Sequence, residues 1–374
     1  MNTPIQKGQA IHSSKAGYGN FKDPTGLLVR MLKSGKKAAY FTLIREGFSI
    51  MLKPLDWIFS PLEKKRLRKG LTSDLPLILI LGGSRSGTTL LYQTLAGYLP
   101  VSYFNNLSAA FSKSPITGGM LFNRLLRKKK GDFKNYYGSV AGFNGPNDGF
   151  HIWNRWFGMD RNHIPEDIPE ATLKDLENFV STWNASFKKP LLNKNNRNSI
   201  CIAAFEKALP NQVYYVVIKR NPVYVIQSLI QSREVVQGDK RVAWGLEVNG
   251  EKANATNLDD PYAYVDEISE QVFAVNDFLR EELKQVDPNR YVEISYEAFC
   301  KYPQDIVQNI SQLIFGKEIS PKNLKGLKPF RNTNSQKLGD EEFARIKNTV
   351  ASKHVKEKRL QVEGDEEVDR KVPR

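Results

Sequence analysis

The chain has 374 residues, 40% of them hydrophobic, which is enough to bury a sizeable core in one large α/β domain or two small ones. Lys and Arg number 55 against 40 Asp and Glu, so an anionic ligand, an anionic membrane surface and nucleic acid are all electrostatically open as partners. The two cysteines, Cys201 and Cys300, are too few and too far apart for a disulfide framework or a Cys-based zinc site, and the four histidines form no HExxH pair. No structural metal and a reducing, cytoplasmic compartment are therefore expected.

In chain order, Met1 to Lys22 is polar and lacks the apolar core of a secretory signal. Tyr40 to Leu62 carries apolar residues at helical spacing, interrupted by Arg45, Glu46, Lys53, Pro54 and Asp56, and so predicts an amphipathic helix that does not span a bilayer. Two roles compete for it: packing on its own domain, or lying on an anionic membrane beside the basic run from Lys64 to Lys69. Residues 1–70 are accordingly expected to form an N-terminal extension.

From Leu75 the pattern becomes that of a buried parallel strand ending in Gly82, followed by a glycine-rich turn and a helix from Thr88 to Tyr98. A helix from Ala171 to Phe187, a second buried strand from Val213 to Ile218 and a helix from Pro222 to Arg233 come next. Then follow a helix from Tyr264 to Lys284, a third strand at Tyr291 to Ile294 and a helix from Ile306 to Ile314. Alternating strands and helices predict a three-layer α/β domain over 71–335, a parallel sheet with helices on both faces. Residues 336–374 read as a charged C-terminal helix and tail, mobile from Lys356 onward.

Gly82-Gly-Ser-Arg-Ser-Gly-Thr-Thr89 lies where a strand hands over to a helix, so free N–H groups and the helix dipole converge there on an anion. Ser84, Ser86, Thr88 and Thr89 add hydroxyls, and Gly87 permits close approach. A Walker A loop needs lysine where Thr88 stands; the positive charge has moved to Arg85. Downstream, Asn221 is a good N-cap and Pro222 suits the first helical position, leaving Arg220 and Ser228 able to approach one phosphate.

Arg85 to Leu91 resembles the 5′-phosphosulfate loop of the sulfotransferase family, and Val216 to Ser228 is similar to that family's 3′-phosphate motif, with Asn221 in place of the usual Asp. Tyr291 to Pro303 resembles its strand and Tyr-Glu segment, and Phe330 to Ser335 is the best candidate for its C-terminal contact to the donor. The resemblance covers about Leu75 to Gly316. It implies a P-loop nucleotide-binding-like fold and 3′-phosphoadenosine 5′-phosphosulfate (PAPS) as sulfuryl donor, with no metal. It places Ser84, Arg85, Ser86, Gly87, Thr88, Thr89, Arg220 and Ser228 at the donor.

Many members carry a glutamate after the first helix where this chain has Asn105 and Asn106. Ser139 to Trp156 instead resembles a bacterial subgroup whose acidic position falls on Asp148, so Asp148 and His151 stand beside Arg85 as catalytic candidates, with Asp148 or His151 as base. The acceptor is expected to be a small molecule, carbohydrate or lipid bearing a hydroxyl or amine, with no nucleic acid involved. Two other functions stay open: a nucleotide-dependent kinase with a degenerate loop, and a non-catalytic binder of PAPS or polyanions.

Overall fold

A computed structural model describes residues 23–123, 133, 135–248, 260–353 and 355. It opens with α1 (Pro24–Lys33) and α2 (Lys37–Leu67), then β1 (Leu77–Leu81) and α3 (Thr88–Tyr98). After β2 (Ser102–Tyr103) come α4 (Asn106–Ala110), α5 (Pro115–Asn123), the hairpin β3 (Asn135–Tyr136) and β4 (Ser139–Val140), and α6 (Phe150–Phe157). Then follow α7 (Glu170–Phe187), β5 (Leu191–Lys194), α8 (Ile202–Ala208), β6 (Val213–Lys219), α9 (Pro222–Gln237) and α10 (Ala263–Leu283). The order closes with β7 (Tyr291–Ser295), α11 (Tyr296–Lys301), α12 (Pro303–Phe315), α13 (Pro321–Leu324) and a last helix over 340–353.

Five strands form one parallel sheet in the order β2-β5-β1-β6-β7. β1 is central and wholly buried because its five residues are apolar on both faces, as a strand covered by helices on each side must be. Leu77, Leu79 and Leu81 face a core with Trp153, Phe179, Trp183 and Phe205; Ile78 and Ile80 face the other core with Leu91, Leu95 and Phe299. This is the three-layer, P-loop-like α/β architecture. The chain leaves β1 for one side of the sheet and later crosses to β6 on the other, so the strand order reverses at β1 and a crevice opens at the carboxyl ends.

The extension is built into the fold from residue 23 onward. Arg30 donates from Nε to the Val235 carbonyl (2.7 Å) and from a terminal nitrogen to that of Val236 (3.2 Å), capping the C-terminal end of α9. Met31, Ala38 and Ala39 pack on Tyr136 of the hairpin. α2 turns its acids inward: Asp56 accepts from Ser114 Oγ (2.6 Å) and the Lys113 amide, while Glu63 accepts from the amides of Ile116 and Thr117 at the start of α5. A carboxylate at a helix N-terminus meets open N–H groups and the positive end of the dipole.

At the far end, Phe343, Ile346 and Val350 of the last helix pack on α9 and α10, so the apolar positions hidden in that charged stretch complete a core. The predicted mobile tail from Lys356 lies outside the described residues, as does Met1 to Lys22. Among the described residues no helix is long and apolar enough to cross a membrane.

Candidate active site

The loop from Gly82 to Thr89 curls over the carboxyl end of β1. Gly87, at φ 105°, is the N-cap of α3; a Cβ there would lie 2.5 Å from the Tyr296 ring, so only glycine fits. Arg85 also has positive φ, 70°, an uncommon conformation for a side-chain-bearing residue, and this backbone turn sends its side chain into the cleft. The amides of Thr88 and Thr89 belong to the first turn of α3 and have no intrahelical acceptor.

The hydroxyls are used unevenly. Ser86 donates to the Gly83 carbonyl from both its Oγ (2.8 Å) and its amide (3.3 Å), so it shapes the loop and does not line the cleft, contrary to the expectation that its hydroxyl faces the ligand. Ser84 Oγ accepts from Asn196 Nδ2 (3.1 Å) and the Leu246 amide (3.2 Å), and Thr88 Oγ1 donates weakly to Asn196 at 3.5 Å. Thr89 stays half-buried on the cleft wall.

The structure brings Arg85, Arg220 and Ser228 together. Arg85 Nε donates to Ser228 Oγ (3.0 Å), and Arg220 donates to the Arg85 carbonyl (3.2 Å), to Asn334 Oδ1 (2.8 Å) and to Thr333 Oγ1 (3.2 Å). Asn221 caps α9 through its side chain on the Val223 amide. The segment from Phe330 to Ser335, widely separated in sequence, thus lies against Arg220. Two rings flank the cations: Tyr137 lies 5.2 Å from the Arg85 guanidinium and Tyr296 lies 4.6 Å from that of Arg220.

Burial pushes the pKa values of Arg85, Arg220 and Lys337 below their ordinary values, and for Lys337 the neighbouring Arg220, Arg85, Arg331 and Lys36 add to the shift. Guanidinium stays protonated regardless. Desolvation is the main cause at all three; a neighbouring cation adds to it at Arg85 and several do at Lys337, whereas the groups around Arg220, Glu297 among them, pull the other way.

Asp148 precedes α6, and its Oδ2 accepts from Lys194 Nζ at 2.9 Å; Lys194 is 3% exposed. His151, the second residue of α6, lies at the exposed rim of the cleft, and desolvation together with the cations of Arg161, Arg45 and Lys53 holds its imidazole pKa below the ordinary value against the pull of Glu46. Asn105 and Asn106 serve structure: Asn105 caps α4 on the Ser108 amide, and Asn106 bonds the carbonyls of Val140 and Gly142.

Sequence reasoning missed Lys194 and Arg197. Lys194 ends β5, a strand with only Leu191 and Leu192 as an apolar signal, and Arg197 follows it; both lie in the polar run Asn193 to Asn198. Arg197 is buried and donates to the carbonyls of Phe157 and Gly158, closing the C-terminal end of α6 and so fixing the helix that carries His151. A basic pair just past an apolar dipeptide that follows Lys-Pro was the available signal.

Arg85, Asp148, His151, Lys194, Arg220 and Ser228 face one cleft of about 2370 Å³, well beyond the few hundred to 1,000 Å³ of a single small-molecule site, so a donor and an acceptor fit together. Among the described residues no cluster of three His, Cys, Asp or Glu side chains is placed to hold a metal ion.

No curated protein matches the chain. Its fold is similar to that of sulfotransferase STF1 from Mycobacterium tuberculosis H37Rv, at 11% identity over 87% of this chain and 90% of that one, TM-score 0.48. Sulfotransferase STF9 from Mycobacterium avium is similar at 14% identity, 75% and 69% coverage and TM-score 0.44. A sulfotransferase from Alicyclobacillus acidocaldarius is similar at 15% identity, 74% and 93% coverage and TM-score 0.36. The family assignment rests on the sequence: residues 76–314 match the profile described as the sulfotransferase family, spanning the whole sheet, the Gly82 to Thr89 loop and the start of α9, and the chain belongs to that family.

Proposed function

We propose that the protein transfers a sulfuryl group from PAPS to a hydroxyl or amine acceptor. The observation that carries this reading is the joined cationic site of Arg85, Arg220 and Ser228, where the phosphate-loop segment and the start of α9 share hydrogen bonds. Such a pairing suits a donor with phosphate groups at two places. The strands beside the loop end in Lys194 and in Lys219-Arg220, where a magnesium-dependent kinase would place an acid, so the kinase reading has less support.

In this reading the amides of Thr88 and Thr89 and the Arg85 guanidinium hold the 5′-phosphate and receive the charge that builds on it as its bond to sulfur breaks. Arg220 and Ser228 hold the 3′-phosphate. Lys194 supports the sulfonate oxygens, and Asp148, oriented by Lys194, takes the proton that the acceptor oxygen or nitrogen releases as its bond to sulfur forms. A cytoplasmic location fits two cysteines that are both free and buried.

The test is a binding titration with adenosine 3′,5′-bisphosphate and adenosine 5′-phosphate. Arg220→Ala should weaken the bisphosphate by about 10- to 100-fold, the value of one charge-assisted hydrogen bond, and leave the monophosphate nearly unchanged. Equal losses for both ligands, or no stabilisation of the wild type by either, would overturn the reading.

A further inference from the structure

The apolar face of α2 is wider than the surface available to cover it. Phe48, Leu52 and Phe59 pack on α4 and α5. A second stripe, Ile44, Met51, Leu55, Ile58 and Leu62, repeats at three-, four- and seven-residue intervals and points to solvent beside Trp57; Met51 and Trp57 are 75% and 73% exposed. The neighbouring α1 exposes Leu28, Val29 and Leu32 as well. A row of large apolar side chains this exposed along one helix face marks a docking face rather than ordinary exterior.

The charges decide what docks there. The acids of α2 are turned inward: Asp56 and Glu63 are buried on the start of α5, and Glu46 is half-buried against Arg45. Cations stand exposed at both ends, Lys36 and Lys37 at the start and Lys64, Lys65, Arg68 and Lys69 at and beyond the last turn. An outward face that is apolar along its length, cationic at its ends and cleared of acids complements an anionic lipid surface. A second copy of this chain would bring the same cations against each other.

We propose that α1 and α2 form an in-plane anchor by which the protein lies on anionic membranes, with Met51, Ile58 and Trp57 entering the headgroup boundary. The inward side of the same helix lines the cleft through Thr42, Arg45 and Glu46, so docking would hold the cleft close to the lipid surface. The anchor does not depend on which donor the site uses.

The experiment is co-sedimentation of the full chain with vesicles of phosphatidylcholine alone or of equal parts phosphatidylcholine and phosphatidylglycerol. The wild type should sediment with the anionic vesicles at low salt, release at high salt, and show quenching of Trp57 by brominated lipid that is lost in Trp57→Phe. Met51→Glu/Ile58→Glu should lower the partition coefficient by about tenfold or more while still being stabilised by adenosine 3′,5′-bisphosphate, which shows that it is folded. Wild type left in the supernatant, or a double variant that sediments equally well, overturns the proposal. A wild-type dimer in light scattering that the double variant converts to monomer, without vesicle binding, assigns the face to self-association instead.

Discussion

Asp148 and Lys194 form a pair in which each residue limits what the other can be. Lys194 is buried with Asp148 as its acidic partner, so removing the carboxylate alone leaves a desolvated cation, a change that typically costs about 3–5 kcal/mol. Asp148→Asn should reduce turnover by about 10²- to 10⁴-fold through lost basicity, and it should also lower stability. The double variant Asp148→Asn/Lys194→Met is neutral and should recover the stability, but it also takes Lys194 from the sulfonate oxygens, so recovered turnover is its decisive outcome. If turnover recovers with it, Asp148 balances charge and is not the base. If His151→Ala abolishes turnover while Asp148→Asn retains it, the proton goes to His151, whose depressed pKa leaves it neutral and able to accept at pH 7. At Arg85 the expectation is sharper: Arg85→Ala should cost about 2.7–4 kcal/mol in the transition state with the fold intact, read as turnover against melting temperature.

At the scale of elements, the inward turn of α2 depends on acids serving as caps. Burial pushes the Glu63 carboxyl pKa up, and the bonds from Thr117 and Ile116 only partly restore it. With the folded pKa above the unfolded one, the folded chain binds more protons between the two values, so this group's contribution to stability falls as pH rises through that window. Glu63→Gln removes the titration. The melting temperature of Glu63→Gln minus that of the wild type should therefore grow as pH rises from about 4 and level off above the raised pKa. A difference that is flat or shrinks with pH would show that the capping bonds outweigh desolvation. β5 shows the opposite dependence: its two leucines make a poor strand alone, and it exists because β1 and β2 supply partners on either side.

For the whole molecule, Arg30 links the extension to the catalytic domain through the last carbonyls of α9, the helix that begins at the Arg220 site. Arg30→Ala should lower stability by about 1–3 kcal/mol in chemical denaturation and speed proteolysis between residues 23 and 70. Unchanged cleavage would mean that the packing of Met31 and Ala39 on Tyr136 holds the extension by itself. The sequence alone determined β1, β6, the glycine loop between β1 and α3 and the capped start of α9, because each is written locally: a run of apolar residues, glycines where side chains cannot fit, and Asn-Pro where a helix begins. It also showed the amphipathic period of α2. It did not show which way that helix faces, since period is a property of one element and orientation depends on the acids of α2 finding the open amides of α5. Lys194, Arg197 and the Thr333-Asn334 contact to Arg220 were likewise decided only in three dimensions, where residues distant along the chain meet because the parallel sheet delivers its carboxyl ends to one crevice.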